Sequence, residues 1–493
     1  MHKKGNPMGV LDKLQPQPLF HFFEEICNIP HGSGNVQAIS DYLVRFAQDR
    51  NLEVIQDEAL NVIIKKPGTA GYEAKEPVIL QGHMDMVAVC TPESGIDMKR
   101  APLILEYDGE WISAKDTSLG GDDGVAVAMC LAILDAQDLA HPPLEVVITT
   151  EEETGMDGAR SLDASVLKGT RFINIDSEEE GTLLCGCAGG ARFHARYLYE
   201  RIKRSGMRCE IRIDGLKGGH SGILAHEERG NANVLLGRLL YELYRKEKVD
   251  YSLSSMSGGS ADNVIPSDAE AVIVLPGDTG AGELERAVKK IEKDLKAELA
   301  IKDPDLRVSI TEKGKGTFDC FDSSSMKHAV KLVCSLPNGV MARSAAVQGL
   351  VETSLNLGVM TCDEKAQTVT LEYAVRSSVE SAKVHLLDRL RMIAKSYGAV
   401  TETTSFYPGW TYAVESPLRD LMVATYEKMY GKKPKVEAVH AGVECGFFAE
   451  KMPGLDCVSI GPDMQAIHST DEKLSAPSTA RVFEYVCEVL KAL

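Results

Sequence analysis

At 493 residues the chain is about three times the ~150-residue domain prior, which excludes a small stapled scaffold and leaves room for a large core in more than one domain. Its 54 Lys and Arg against 72 Asp and Glu give −18, and no basic run is long enough to track a phosphate backbone, so nucleic acid and anionic membrane are poor partners. With 44% hydrophobic and 26% charged residues, and a longest apolar run (residues 124–134) far short of the ~20 residues of a bilayer span, the sequence reads as a soluble globular protein.

In chain order, residues 1–7 carry positive charge with no apolar stretch behind it, which does not read as a secretory signal, and a cytoplasmic location is expected. Asn35 is a candidate N-cap for an amphipathic helix over 36–48, with Ile39, Tyr42, Leu43 and Phe46 at helical spacing. Short apolar runs at 61–65, 77–80, 144–150 and 171–175 predict strands, and 124–138 predicts a helix between the second and third. This alternation points to an α/β sheet, at least partly parallel, with buried strands. Cys185 and Cys187 form the one close cysteine pair, and without a second pair they read as small core residues. All twelve cysteines are expected to be reduced thiols.

From about residue 191 the pattern changes to strand 208–214, helix 231–246, strands 251–257 and 269–275, and helix 283–299. The order then recurs: strand 307–312, helix 324–336, strands 354–360 and 368–376, helix 379–397. A βαββα unit written twice predicts a second domain of two related lobes. After about residue 406 the chain returns to a helix (417–430) and a strand (455–460). The domains are therefore expected at 1–190 and 406–493, a discontinuous first domain, with 191–405 inserted into it.

Several strand runs end in residues able to bind a metal. His83 follows the run 78–80, at the edge where open α/β sheets place ligands. Asp85 is placed to hold the second ring nitrogen of His83 and fix its tautomer. Asp122 and Asp123, framed by glycines, open the helix that follows. Interaction with the helix dipole accounts for Asp123, whereas a carboxylate at a tight turn such as Asp122 can bridge two cations. Glu151, Glu152 and Glu153 end an apolar strand, where three like charges are costly without a nearby cation. Asp176 and His468 follow two further strand runs. Two divalent ions carry +4; Asp122, Glu153 and Asp176 with a bridging hydroxide supply −4, so with neutral imidazoles the centre balances as in a two-metal hydrolase. The mixed donors suit Zn²⁺ best, with Mn²⁺ and Co²⁺ as alternatives. Glu152, beside a ligand, is placed to take a proton from water.

His83-Met84-Asp85, Gly121-Asp122-Asp123-Gly124, Glu152-Glu153-Thr154-Gly155, Asp176-Ser177-Glu178 and His468 resemble, in order and spacing, the M20 metallopeptidases. Ile29-Pro30-His31-Gly32-Ser33-Gly34-Asn35, Gly186-Cys187-Ala188-Gly189-Gly190, Gly218-Gly219-His220-Ser221-Gly222 and Arg229-Gly230-Asn231-Ala232-Asn233 are similar to motifs of the aminoacyl-histidine dipeptidase branch, the bacterial carnosinase-like enzymes. The resemblance implies an α/β, discontinuous dinuclear-metal peptidase domain with an inserted α+β lid of two βαββα lobes. It implies one metal on His83 and Asp176, the other on Glu153 and His468, with Asp122 bridging, Asp85 orienting His83, and Glu152 as general base and then acid. It further implies His220 as oxyanion donor, Asn263 and Arg376 as substrate contacts with Arg376 meeting the terminal carboxylate, and Gly442 in a loop lining the substrate. Departures fall in the lid, at Leu224, Ala225 and Glu228 and at Ala261-Asp262. The expected activity is hydrolysis of dipeptides with a free C-terminus, of the Xaa-His or β-alanyl-histidine type. Alternatives are a deacylase of N-acyl amino acids and a non-catalytic binding protein of the same fold. A small peptide is the expected ligand, and a homodimer through the lid the expected assembly.

Overall fold

The computed structural model describes residues 9–277 and 282–493, so the basic start at residues 1–7 lies outside the described residues. The chain forms two compact units. One comprises the described residues up to Gly186 with Tyr412–Ala438 and Glu444–Leu493; the other comprises Cys187–Thr411 and Val439–Val443. Among the described residues no helix is long and apolar enough to cross a membrane.

The first unit is built on an eight-stranded sheet. At its centre Val78–His83 lies parallel to both Leu144–Thr149 and Arg171–Asn174, and the last of these lies parallel to Asp456–Ser459. The edges are antiparallel, as where Val62–Lys66 pairs with Leu144–Thr149. Every residue of Val78–His83 and Leu144–Thr149 is buried, as strands covered on both faces must be. The helix Gly121–Asp135 is apolar on all sides and buried up to Leu134, packing through Gly124 close to Phe23 and Ile26 of the helix Gln17–Cys27. Its first turn is irregular. Asp122 and Asp123 have non-helical backbone angles and are joined by a cis peptide bond. The first predicted helix is observed as Gln37–Asp49, capped by Val36 without a side-chain bond, so Asn35 is not its cap. The Asn35 amide instead donates to the carbonyls of Pro30 and Lys99.

The main sheet of the second unit is antiparallel, and four long helices accompany it among the described residues. Its strand order is Arg307–Phe321, Arg201–Asp214, Ala269–Pro276, Ser252–Gly258, Val351–Asp363, Thr368–Ser377, Gly189–Leu198 and Val400–Tyr407, and a short strand Gly339–Arg343 pairs beside Val351–Asp363. The two halves meet at one register pair, Gly258 with Met360. This order corrects the reading of the repeat. The strand beginning at Arg307 does not open the second lobe but closes the first, by pairing with Arg201–Asp214. The second lobe is opened by Gly189–Leu198, which precedes the first lobe in the chain and pairs with Thr368–Ser377. Each half is thus βαββα with a closing strand, and the first is inserted into the second. The predicted return to the first domain at 406 falls inside the strand Val400–Tyr407, which pairs with Gly189–Leu198.

Candidate metal centre

The carboxyl ends of the parallel strands gather the predicted residues of the first unit at one place. His83 ends its strand, and Glu152 and Glu153 start the short helix Glu152–Gly155 after Leu144–Thr149. Asp176 lies two residues beyond Arg171–Asn174. Asp122 holds the two imidazoles apart: its Oδ1 is 3.0 Å from His83 Nε2 and its Oδ2 is 3.2 Å from His468 Nε2. His83 Nε2 also lies 3.5 Å from Asp176 Oδ1, and His468 Nε2 lies 3.0 Å from Glu153 Oε2. His468 takes a left-handed backbone, φ 61°, and so does Glu151, φ 55°. Such backbone conformations are costly for non-glycine residues and tend to cluster at functional sites.

Hydrogen bonding fixes the His83 tautomer. Its Nδ1 lies 2.9 Å from the main-chain carbonyl of Asp85, which can only accept, so Nδ1 carries the proton. The neutral ring then turns a lone pair on Nε2 toward two carboxylate oxygens, an arrangement that requires either a second proton or a cation between them. Burial disfavours charge on His83, but Asp176 and Asp122 outweigh it and hold its pKa well above the usual value. Hydrogen bonds donated to the Asp122 and Glu153 carboxylates raise His468 to about 10. Burial drives Asp176 up to about 7. Glu152 is also pushed well up, by burial and by Asp176, Glu444 and Glu153, against the pull of His83. Buried Glu153 Oε1 and Asp123 Oδ1 have no hydrogen-bond partner. Acids crowded together, orphaned oxygens and a lone pair aimed at them are what a site for divalent cations leaves when protein atoms alone are counted. His83, Asp122 and Glu153 bring one donor atom each within 4.8 Å of one another, and so do His83, Asp123 and Asp176. The donor set fits two divalent ions.

The carboxylate of Asp85 reaches further than expected. It lies 3.5 Å from His83 Nδ1, farther than the Asp85 carbonyl, while its Oδ1 accepts from the Glu152 N–H at 3.0 Å and its Oδ2 from Ser33 Oγ at 2.8 Å. It therefore ties the Glu152 turn to the His83 strand. Three further acids escape the pattern of the sequence. Asp123 is fully buried and accepts the His83 N–H at 3.1 Å, a contact possible because Gly82 has no side chain. Glu444 accepts from Gln81 and Thr149, each at 2.6 Å, and burial pushes it up to about 8. Glu472 accepts main-chain N–H groups of the turn that carries Asp122. No strand end marks Glu444 or Glu472, although Glu444 stands two residues after Gly442 in Ala441-Gly442-Val443-Glu444-Cys445-Gly446, the loop the family resemblance singles out, and Asp123 stands inside a glycine-framed pair.

In the second unit the structure brings His220 and Arg376 near His440 of the segment Val439–Val443, with Asn263 beside Ser221. The strand Gly219–His220 pairs with Val264–Ile265, and Ser221 N–H donates to the Asn263 carbonyl at 2.8 Å. His220 Nδ1 accepts from the N–H groups of Gly222 and Ile223, leaving the proton on Nε2. Burial and the Arg376 charge lower its pKa, so the ring is neutral near pH 7. A Cβ on Gly222 would meet the His440 carbonyl, the His220 ring and Arg376 Nε, all within 3.1 Å. Arg376 is buried, donates to the Tyr407 hydroxyl, and has a buried Nε without a partner. Among the described residues no carboxylate pairs with Arg376. A surface ion pair does not describe it. The Asn263 side chain makes no hydrogen bond among the described residues, so it caps no turn. Gly442 lies on the segment whose Val439 and Ala441 carbonyls accept from the Ala188 N–H.

The chain is similar to known proteins in both sequence and fold. The chain is 36% identical to the cytosol non-specific dipeptidase of Escherichia coli over 99% of each chain. It superposes on the aminoacylhistidine dipeptidase of Vibrio alginolyticus with a TM-score of 0.93 and 36% identity, over 98% of each chain. An aminopeptidase of Bacillus cereus shares the fold at a TM-score of 0.56 and 16% identity, over 97% of this chain and 98% of that one. Residues 79–492 match the sequence signature of peptidase family M20/M25/M40, and the chain belongs to that family.

Proposed function

We propose that the chain is a dinuclear metallo-dipeptidase. His83 and Asp176 hold one divalent ion, Glu153 and His468 the other, and Asp122 spans the two. The observation that carries this reading is that the two oxygens of Asp122 face two different imidazoles, each beside a further carboxylate. When bound, such a metal pair polarises the scissile carbonyl and lowers the pKa of water. Glu152, whose carboxylate makes no hydrogen bond among the described residues, takes the proton of the attacking water and returns it to the leaving amine. Asp85 holds the main chain of Glu152 and Glu153 for that exchange. His220, neutral with its proton on Nε2, suits a donor to the oxyanion, and Arg376, buried and facing no carboxylate among the described residues, suits a receptor for the terminal carboxylate. Asn263 and Gly442 complete the substrate contacts.

The substrates are dipeptides with a free C-terminus, with Xaa-His and β-alanyl-histidine among them; the names of the two 36%-identical relatives support the dipeptide class. Zn²⁺ is the favoured metal on its mixed nitrogen and oxygen donors. Cytoplasmic location and homodimerisation through the second unit belong to the same proposal, and sedimentation tests the second.

The test is to strip the metal, restore Zn²⁺, Mn²⁺ or Co²⁺ separately, and assay a dipeptide panel including carnosine beside the matching N-acetyl amino acids. Activity confined to the acylated compounds would replace this reading with a deacylase. Glu152→Gln is expected to keep its metal and lose about 10²- to 10⁴-fold in kcat, the usual worth of general acid-base catalysis. Full activity in that variant would remove Glu152 from the mechanism.

A further inference from the structure

The motif at residues 29–35 enters the metal centre only through Ser33, yet it is built with care. Met86 N–H donates to the His31 carbonyl at 3.2 Å and Ser33 N–H to the Met86 carbonyl at 3.1 Å, so the segment runs as a strap beside the chain leaving His83. Gly32 bridges to Met86 in parallel, and a Cβ there would stand 2.6 Å from that of Ala88, so glycine lets the two segments lie flush. Gly34 N–H donates to Glu151 Oε1 at 2.7 Å, and the Asn35 amide donates to the Lys99 carbonyl at 3.2 Å. The strap is thereby fixed to the Glu151 turn at one side and to the 96–99 segment at the other. Between these walls lies a cleft of about 560 Å³ with an apolar lining of Met86, Val87, Ala88, Ile96 and Met98, ending at Glu153.

We propose that this cleft receives the side chain of the substrate's N-terminal residue and favours aliphatic side chains such as those of leucine and methionine. The proposal rests on the dipeptidase reading above. Three observations carry it. Glu153 belongs both to the cleft and to the proposed metal set, so a peptide with its carbonyl at the metals has one residue beside the cleft. With Glu153 committed to the metals, the remaining charges, Asp97 and Lys99, offset one another, so the cleft suits an uncharged side chain, while the proposed receptor for the terminal carboxylate, Arg376, belongs to the other unit. Its volume falls within the usual range for small-ligand pockets, about 300 to 1,000 Å³, and its lining is the mixture of apolar surface and a few polar groups that such pockets use.

Met98 is the residue to vary, because it lies half-buried on a loop segment rather than in the core. The zinc-loaded enzyme would be assayed for kcat/KM on an Xaa-Ala series (Gly, Ala, Leu, Met) and on an Ala-Xaa series with the same residues. Met98→Trp narrows the cleft and is expected to lower the Leu-Ala to Gly-Ala ratio at least about ten-fold, the worth of a misplaced methylene or more. Met98→Ala and Ile96→Ala remove contacts and are expected to lower the same ratio about five-fold. Preference within the Ala-Xaa series should move less than two-fold. A uniform fall across both series, or a shift confined to the Ala-Xaa series, overturns the proposal. If Met98→Trp fails to fold, judged by its melt and zinc content, the two alanine variants decide by the same ratios. Wild-type enzyme inert on every dipeptide would sink the dipeptidase reading itself, an outcome distinct from unchanged N-terminal preference in active variants.

Discussion

Glu472 is 3% exposed and accepts four main-chain N–H groups, those of Leu119 (2.8 Å), Gly120 (3.1 Å), Gly121 (2.8 Å) and Asp122 (3.4 Å). These donors belong to the turn that presents Asp122 to the two histidines. Burial raises the carboxyl of Glu472, and the N–H groups draw it back down. Glu472→Gln preserves shape but turns an amide donor toward backbone donors, so Asp122 loses its fixed position. Loss of an outer partner of this kind typically costs about 10- to 100-fold in metal affinity. Metal titration of Glu472→Gln should therefore show at least a ten-fold weaker site, with kcat largely recovered at saturating metal; wild-type affinity would refute the positioning role. His83, Asp176 and the Glu152–Glu153 pair were legible in the sequence because each follows a hydrophobic strand run. Glu472 was not, since Thr470-Asp471-Glu472-Lys473 reads as a solvated loop. Its burial arises only when that loop folds against the Asp122 turn.

At the scale of elements, the parallel strands and the buried helix of the first unit act together. Gly82 lies between them: a Cβ there would stand 2.5 Å from Asp123 Oδ2 and 2.6 Å from the Ala126 Cβ. Gly82→Ala must push Asp123 from the His83 N–H or part the strand from the helix. Overpacking of this kind costs about 1 to 3 kcal/mol. Urea unfolding should show a loss of that size together with weaker metal binding, and an unchanged midpoint would mean that the helix shifts freely. The helices and most long strands of the second unit are legible from hydrophobic periodicity; two long strands are not, nor are the short ones Gly219–His220, Val264–Ile265 and Gly339–Arg343. Ala191, Phe193, Ala195 and Tyr197 alternate inward along Gly189–Leu198, a signal that the short glycine-rich opening obscures. The strand Val400–Tyr407 has no such signal, because it is an edge strand with no fully buried residue. The repeat was therefore recognised while its pairing was misassigned: two strands of one lobe can be adjacent in space with the other lobe's sequence between them.

On the scale of the whole molecule, the net charge of −18 sets no simple pH dependence, because the groups that matter are buried and shifted in opposite directions. Three histidines, His31, His141 and His440, are 6% exposed or less, and burial lowers the pKa of each. The clearest case is His440 in the second unit. Its Nε2 bonds Ser354 Oγ at 2.7 Å, and burial, together with the Arg376 charge, brings it to about 3. The unfolded chain binds a proton at His440 once the pH falls below the ordinary value of about 6.5, while the folded chain does not until about pH 3. Stability is therefore whole above about pH 6.5 and is lost as the pH falls from there toward 3, at up to about 1.4 kcal/mol per pH unit for this group. His83 and His468 of the metal-free protein run the other way, since their raised values favour the folded state at low pH. Comparing variants cancels those contributions. His440→Gln keeps a polar partner for Ser354 and removes the titration, so between pH 7.5 and 5.0 its unfolding free energy should fall by about 1 to 2 kcal/mol less than that of the wild type. Equal losses in the two proteins would show that His440 takes up its proton without unfolding, and would place the acid sensitivity of the molecule at His31 and His141 instead.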